Sequence, residues 1–200
     1  MRVGLDLRST TDPDDRQRLA IEADRLGLWA VLIGPSQELG AEAGPEIIEA
    51  AALATSTGHI HLGVWFDANV EHPTTVAEET AVLDHLSQRR ALTVVEGEPA
   101  AVEHVERLLA GAIVDGFALA PPPAQTRVPV LAATQLEQTD LTGDLDQDRD
   151  TIDAYRDQGC THLFVTWPGP LPVLARHLVT RAATPNFPQL VADLADEIDQ

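Results

Sequence analysis

What most constrains this chain is an alternation that begins at its first residues. Short apolar runs suited to buried strands are followed, again and again, by stretches with helical spacing. Arg2 to Leu7 (RVGLDL) reads as a strand. Asp12 and Pro13 suit an N-cap and a first helical position, Leu19, Ala23 and Leu26 recur at helical spacing, and Gly27 stops the helix. Leu28 to Ile33 (LWAVLI) is apolar throughout, as a strand covered on both faces of a parallel sheet should be. The pattern continues with a helix over Pro45 to Thr55, a strand over Ile60 to Phe66, a helix over Thr74 to Ser87 and a strand over Ala91 to Val95.

The second half is less regular. It offers a helix over Val102 to Leu109, strands at Ile113 to Leu119 and Val128 to Ala132, a helix over Thr151 to Gln158, and a strand over Thr161 to Trp167. Pro172 opens a helix through Thr180, and Leu190, Val191, Leu194 and Ile198 give a last helix its apolar stripe. No stretch reads as a linker, so residues 1–200 are expected to form a single domain. Alternating elements imply a mainly parallel sheet wrapped by helices, closed as a barrel or open and doubly wound. Seven strands fall short of the eight strands and roughly 250 residues of a full barrel. The expected fold is α/β: a TIM-like (β/α) barrel, shortened or incomplete, with mainly parallel strands. The open alternative lacks the dinucleotide fingerprint, because the turn after the first strand is Arg8-Ser9-Thr10-Thr11.

Charge narrows the function. The chain carries 13 basic and 32 acidic residues, a formal charge of -19, and every basic residue is arginine. Without lysine there is no Schiff-base amine, no phosphate-loop lysine and no kinase-type lysine. The negative field disfavours nucleic acid and acidic membrane surfaces, so neither is an expected partner. No apolar run approaches the length of a membrane span, and acidic residues from Asp6 to Asp15 interrupt any signal-peptide core. A lone Cys160 forms no internal disulfide and anchors no thiolate zinc site; a reducing cytoplasm is the expected location.

Between Gly58 and Gly97 lies the run GHIHLGVWFDANVEHPTTVAEETAVLDHLSQRRALTVVEG. Its Ile60, Leu62 and Gly63, then His72 and Pro73, Ala77 and Glu79, Leu83, Asp84, Leu86 and Ser87, and Arg90 match an ordered pattern. That pattern resembles the central segment of the bacterial luciferase-like monooxygenase family. The opening RVGLDL, the helix ending ADRLGLWAVLIG and the segment EIIEAAALATSTGHI are similar too, so the resemblance covers about the first 97 residues. It implies a barrel that binds FMN or a deazaflavin coenzyme at its carboxyl-end mouth. The expected chemistry is monooxygenation or hydride transfer on a small organic substrate. A homodimer, or a heterodimer with a related chain, is the implied assembly.

In a barrel the carboxyl ends of the strands form the mouth, which here gathers Arg8, Gly34, Trp65 to Asn69, Glu96, Thr134 and Thr166. Arg8, Gly34, Trp65, Phe66, Thr134 and Thr166 are the expected cofactor contacts, with Trp65 or Phe66 stacking on the ring and Arg8, or Arg127, receiving phosphate. Strand alternation lets only one of the two aromatics point inward, and aromatic residues at a strand end more often belong to the core. Asp67 and Glu96 end adjacent strands and form the candidate catalytic pair, in which repulsion raises one pKa for acid or base work; a solvated surface pair is the alternative. His72, before Pro73 at a helix start, is read as fixing the loop. His59 and His61 share a face without a third ligand, and Asp144, Asp146, Asp148 and Asp150 lack the glycine and glutamate of a calcium loop, so no metal is expected. They read instead as a solvated acidic turn capping a helix. Ser36 lacks a nucleophile-elbow pattern.

A second function stays open. After the fourth strand this chain has Val95-Glu96-Gly97-Glu98-Pro99, and Ala132-Ala133 stand where relatives place paired glycines. Glutamates repel phosphate, and each alanine Cβ restricts approach to backbone amides. These departures suit a non-catalytic luciferase-like relative, without cofactor, that serves as a partner subunit or small-molecule binding protein.

Overall fold

The computed structural model describes residues 1–35 and 46–169, together with Leu171 and Val173. Ser36 and the expected helices over 172–180 and 190–198 lie outside the described residues. Seven strands, β1 (Arg2–Asp6), β2 (Ala30–Ile33), β3 (His61–Asp67), β4 (Ala91–Glu96), β5 (Val130–Ala132), β6 (Glu137–Asp140) and β7 (His162–Thr166), form one sheet. Among the described residues five helices accompany them: α1 (Pro13–Arg25), α2 (Glu46–Ser56), α3 (Pro73–Leu86), α4 (Pro99–Leu109) and α5 (Leu145–Asp157).

Every strand pair is parallel, and the order is β5-β4-β3-β2-β1-β7-β6. Read from β6 through β7 and β1 to β5, that is chain order wrapped around a circle, the winding of a barrel. Curling follows from chain length. The edge strands β5 and β6 are joined only by residues 133–136. Six strand spacings of about 4.8 Å would hold the edges of a flat sheet roughly 29 Å apart, whereas the five Cα steps from Ala132 to Glu137 reach at most about 18 Å. The sheet therefore bends toward closure, and the chain is a shortened TIM-like α/β barrel.

Local signals act as the sequence implies. Asp12 caps α1 by accepting from the Asp14 amide at 2.9 Å, and Gly27 leaves the helix at φ +75°. His72 caps α3 in the same way, its Nδ1 accepting from the Thr74 amide at 3.2 Å. Both helices place proline in the first turn, where no amide hydrogen is needed.

Two apolar layers result. The outer one lies between sheet and helices and holds Leu5, Val31, Leu62, Val64, Val95 and Val165 with the buried faces of α1 to α4. The inner one gathers Ala30 and Leu32 of β2, Leu92 and Val94 of β4, Phe164 of β7, and Leu136 from the connection between the edge strands. Glycines make room for it. A Cβ on Gly4 would lie 2.5 Å from the Phe164 ring, and one on Gly63 would crowd Leu92 and Leu32 at 3.1 and 3.2 Å.

The structure corrects the second half. Ile113 to Leu119 is not a strand: Asp115 (φ 52°) and Gly116 (φ 81°) turn the chain back, so that only Val114 and Phe117 pair, antiparallel. The polar run Glu137–Asp140 is a strand, edge-on to β7. The helix placed at Thr151 begins at Leu145, capped by Asp144 accepting from the amides of Asp146 and Gln147. Nor is the whole acidic turn solvated. Asp148 is buried and accepts from both amides of Thr142 and Gly143 and from the Thr142 hydroxyl. Among the described residues, no helix is long and apolar enough to cross a membrane.

Candidate functional site

Period-2 alternation decides what faces the interior of the curl. Trp65 packs against the inner layer, while Phe66, 4% exposed, belongs to the outer one. Phe66 is therefore core rather than a cofactor contact, which corrects the expectation for that residue. With Trp65 on the inner side, the in-register pair two residues on, Asp67 beside Glu96, ends β3 and β4 at the mouth.

Arg8 follows β1 and is 6% exposed. Its Nε donates to Asp6 at 3.1 and 3.3 Å, and its Nη2 donates to Asp6 at 2.8 Å and to the Gln138 side-chain oxygen at 2.9 Å. The guanidinium also lies 4.0 Å from the Trp65 ring centroid. Trp65 in turn donates its indole N–H to Glu96 at 2.9 Å. Gly34 is what lets these groups meet, since a Cβ there would stand 2.7 Å from the Trp65 Cβ and 3.0 Å from the Arg8 Cδ. Asp6, Arg8, Gly34, Trp65, Glu96 and Gln138 thus form one connected network across five strands.

The other expected residues have different duties. Asp67 accepts from the Asn69 amide and side chain, both at 2.8 Å, and closes the turn after β3. The candidate carboxylate pair is thus adjacent in register, but each member has its own donor. Thr166 donates a hydrogen bond to Asp140 between the ends of β7 and β6. Thr134 is exposed on the turn after β5, and Arg127 lies at the opposite end of the sheet, ahead of β5. Sequence reading missed Asp6 and Gln138. The first was detectable, because residues two apart on a strand share a face.

The pattern that carried the family resemblance is structural. Asp84, fully buried, accepts from the Gln125 amide at 2.6 Å and its side chain at 2.7 Å, pinning the long loop before β5 onto α3. Arg90 donates to the carbonyls of Ala54, Thr57, Ile60 and Ser87, tying the end of α2 to the start of β3. Burial pushes its pKa down, partly offset by Asp24.

The mouth is electrostatically unlike a phosphate site. Arg8 is spent on Asp6 and Gln138, and Arg16 is paired with Glu49 at 2.6 Å. Asp67, Glu96 and Asp140 end β3, β4 and β6 at the same mouth. One face of the Trp65 ring is taken by the Arg8 guanidinium. The described side chains therefore do not fit the phosphate end of a flavin nucleotide, and they leave Trp65 at most one free stacking face. Among the described residues, no cluster of His, Cys, Asp and Glu is placed to hold a metal ion.

This winding, with polar groups converging at the carboxyl ends of its strands, defines a class of barrel, and solved structures share it. The monooxygenase RslO1 from Streptomyces bottropensis superposes with a TM-score of 0.58 at 20% identity, over 84% of this chain and 70% of that one. The oxygenating constituent of 3,6-diketocamphane monooxygenase of Pseudomonas putida, a type II Baeyer–Villiger monooxygenase in complex with FMN, gives 0.54 at 12% identity, over 82% and 57%. DmoA from Hyphomicrobium sulfonivorans gives 0.54 at 14% identity, over 82% and 59%. The present chain spans less than two thirds of the length of the last two. No family model matches its sequence, and no curated protein does. The likeness establishes the fold, a TIM-like barrel shared with these monooxygenases, in a shortened form.

Proposed function

We propose that this chain is an oxidoreductase of the luciferase-like class that takes a small organic molecule at its carboxyl-end mouth, with FMN or a deazaflavin as coenzyme. The observation that supports it is the convergence of Arg8, Trp65, Glu96 and Gln138 at the barrel end where such folds place their ligands. The diketocamphane enzyme, which carries FMN on the same fold, supports the choice of coenzyme. In this reading the flavin phosphate is left to backbone amides, and Asp67 and Glu96 face the substrate rather than the phosphate.

A second reading rests on the neutralised Arg8. With its only described guanidinium of the inner mouth bound to Asp6, the barrel suits a neutral or cationic guest and serves as a small-molecule binding protein or partner subunit without flavin. Val82 and Leu86, one turn apart on α3, are 52 and 57% exposed, an apolar strip that a homodimer or related partner would cover.

One titration separates the readings. FMN and the deazaflavin are added to the purified chain and tryptophan and flavin fluorescence are followed. Binding below about 100 μM, roughly -5.5 kcal/mol, supports the first reading. Absence of quenching at that concentration, with a native mass above the monomer, supports the second.

A further inference from the structure

The end of the barrel away from the mouth holds one patch of the opposite charge. A cavity of about 960 Å³ opens there, between the start of β1, the start of β7, the end of α4 and the segment leading into β5. Its rim bears Arg2, Arg107, Arg127 and His162, against a single carboxylate, Glu106. Val128 and Leu131 form part of an apolar wall behind them.

The arginines are unspent. Among the described residues, no side chain of Arg2, Arg107 or Arg127 forms a salt bridge, whereas Arg8, Arg16, Arg18 and Arg156 all do. Arg2 instead lies 5.4 Å from the Trp29 ring centroid, and Trp29 meets the His162 ring at 4.8 Å. In a chain with 32 acidic residues, three guanidinium groups around one cavity without acidic partners are a local reversal of the overall field. His162 reports that field: burial, then the Arg2 guanidinium, hold its pKa below the ordinary imidazole value. Glu106 and the carboxyl end of α4 oppose an anion, but together they amount to roughly one and a half elementary charges against three full positive ones.

We propose that this cavity is an anion site for a small organic phosphate, its charged head held by Arg2, Arg107 and Arg127 and its apolar body laid against Val128 and Leu131. Planar guanidinium forks pair with phosphate oxygens bidentately, and three of them suit a dianion better than a monoanion. The site is independent of the mouth and stands whether or not flavin binds there.

Phenyl phosphate is the probe, titrated by calorimetry into the full chain and into Arg107→Gln/Arg127→Gln, with benzoate and inorganic phosphate as comparisons. Both arginines are exposed, so the variant is expected to fold, and its urea midpoint checks that. Expected are millimolar or tighter binding of phenyl phosphate, weaker binding of benzoate and of inorganic phosphate, at least tenfold loss in the double variant, and no change in Glu96→Gln at the other end. No heat of binding at about 10 mM phenyl phosphate would overturn the assignment. So would equal affinity in the double variant, or a loss caused by Glu96→Gln instead.

Discussion

The guanidinium of Arg8 rests 4.0 Å from the ring centroid of Trp65, held there by Asp6 from below and Gln138 from the side. A cation fixed in this way is a packing element as much as a charge. Arg8→Met is expected to destabilise the chain by about 3 kcal/mol, because it leaves the Asp6 carboxylate buried without its partner. Asp6→Asn/Arg8→Met should recover much of that loss. Urea unfolding of the two variants checks both statements, and equal midpoints would contradict them.

Asp84 offers a second test. Asp84→Ala removes the acceptor for two Gln125 donors, one of which also has the Ala91 carbonyl at 2.9 Å. The cost is expected at about 2 kcal/mol. Because the anchored loop leads into β5, amide exchange across residues 112–129 should quicken more than exchange in β1 or β2.

Glu79 gives a pH dependence with a definite sign. Burial, then the charges of Glu46 and Glu78, raise its pKa above the ordinary glutamate value of 4.5. The folded chain thus keeps this proton to higher pH than the unfolded chain, so the contribution is favourable at low pH and is lost as pH rises through the raised value. Glu79→Gln is expected to raise the melting temperature at pH 7, with a gain that shrinks toward pH 4.5 and below. Glu71, raised by burial and then by Glu79, should show the same trend and soften when Glu79 is replaced.

The inner layer predicts a suppressor. Gly4→Ala forces a Cβ into the Phe164 ring and is expected to cost about 1–3 kcal/mol. Phe164→Leu in the same chain should relieve part of it, so that the double variant is more stable than the sum of its single losses. Thermal melts of the three variants measure the coupling.

How much of this was legible in the sequence follows from which forces set each element. β1 to β4 are largely buried and announce themselves by mainly apolar runs, unbroken in β2, and α1 and α3 carry their own caps in Asp12 and His72. β6 carried no such mark. Glu137–Asp140 pairs with a single neighbour at the sheet edge, so polar side chains serve it well and hydrophobicity is silent. Ile113 to Leu119 misled in the other direction, since its apolar ends drew attention from the Asp115-Gly116 turn between them. At the mouth, chemistry-bearing residues were found by strand-end position alone. Which of Trp65 and Phe66 faces inward, and that Gln138 completes the Arg8 network, depend on register and on an edge strand that pattern does not reveal.

The pairing of Arg2 through Leu5 with His162 through Val165 sets a timetable. On a ribosome, β1 emerges first and acquires β2 early, yet its other flank has nothing to bond until β7 follows. Throughout that wait a bare, apolar strand border is on offer to any passing chain. Newly made protein is therefore most vulnerable to clumping before β7 arrives, and slower translation between β5 and β7 should lower its soluble yield.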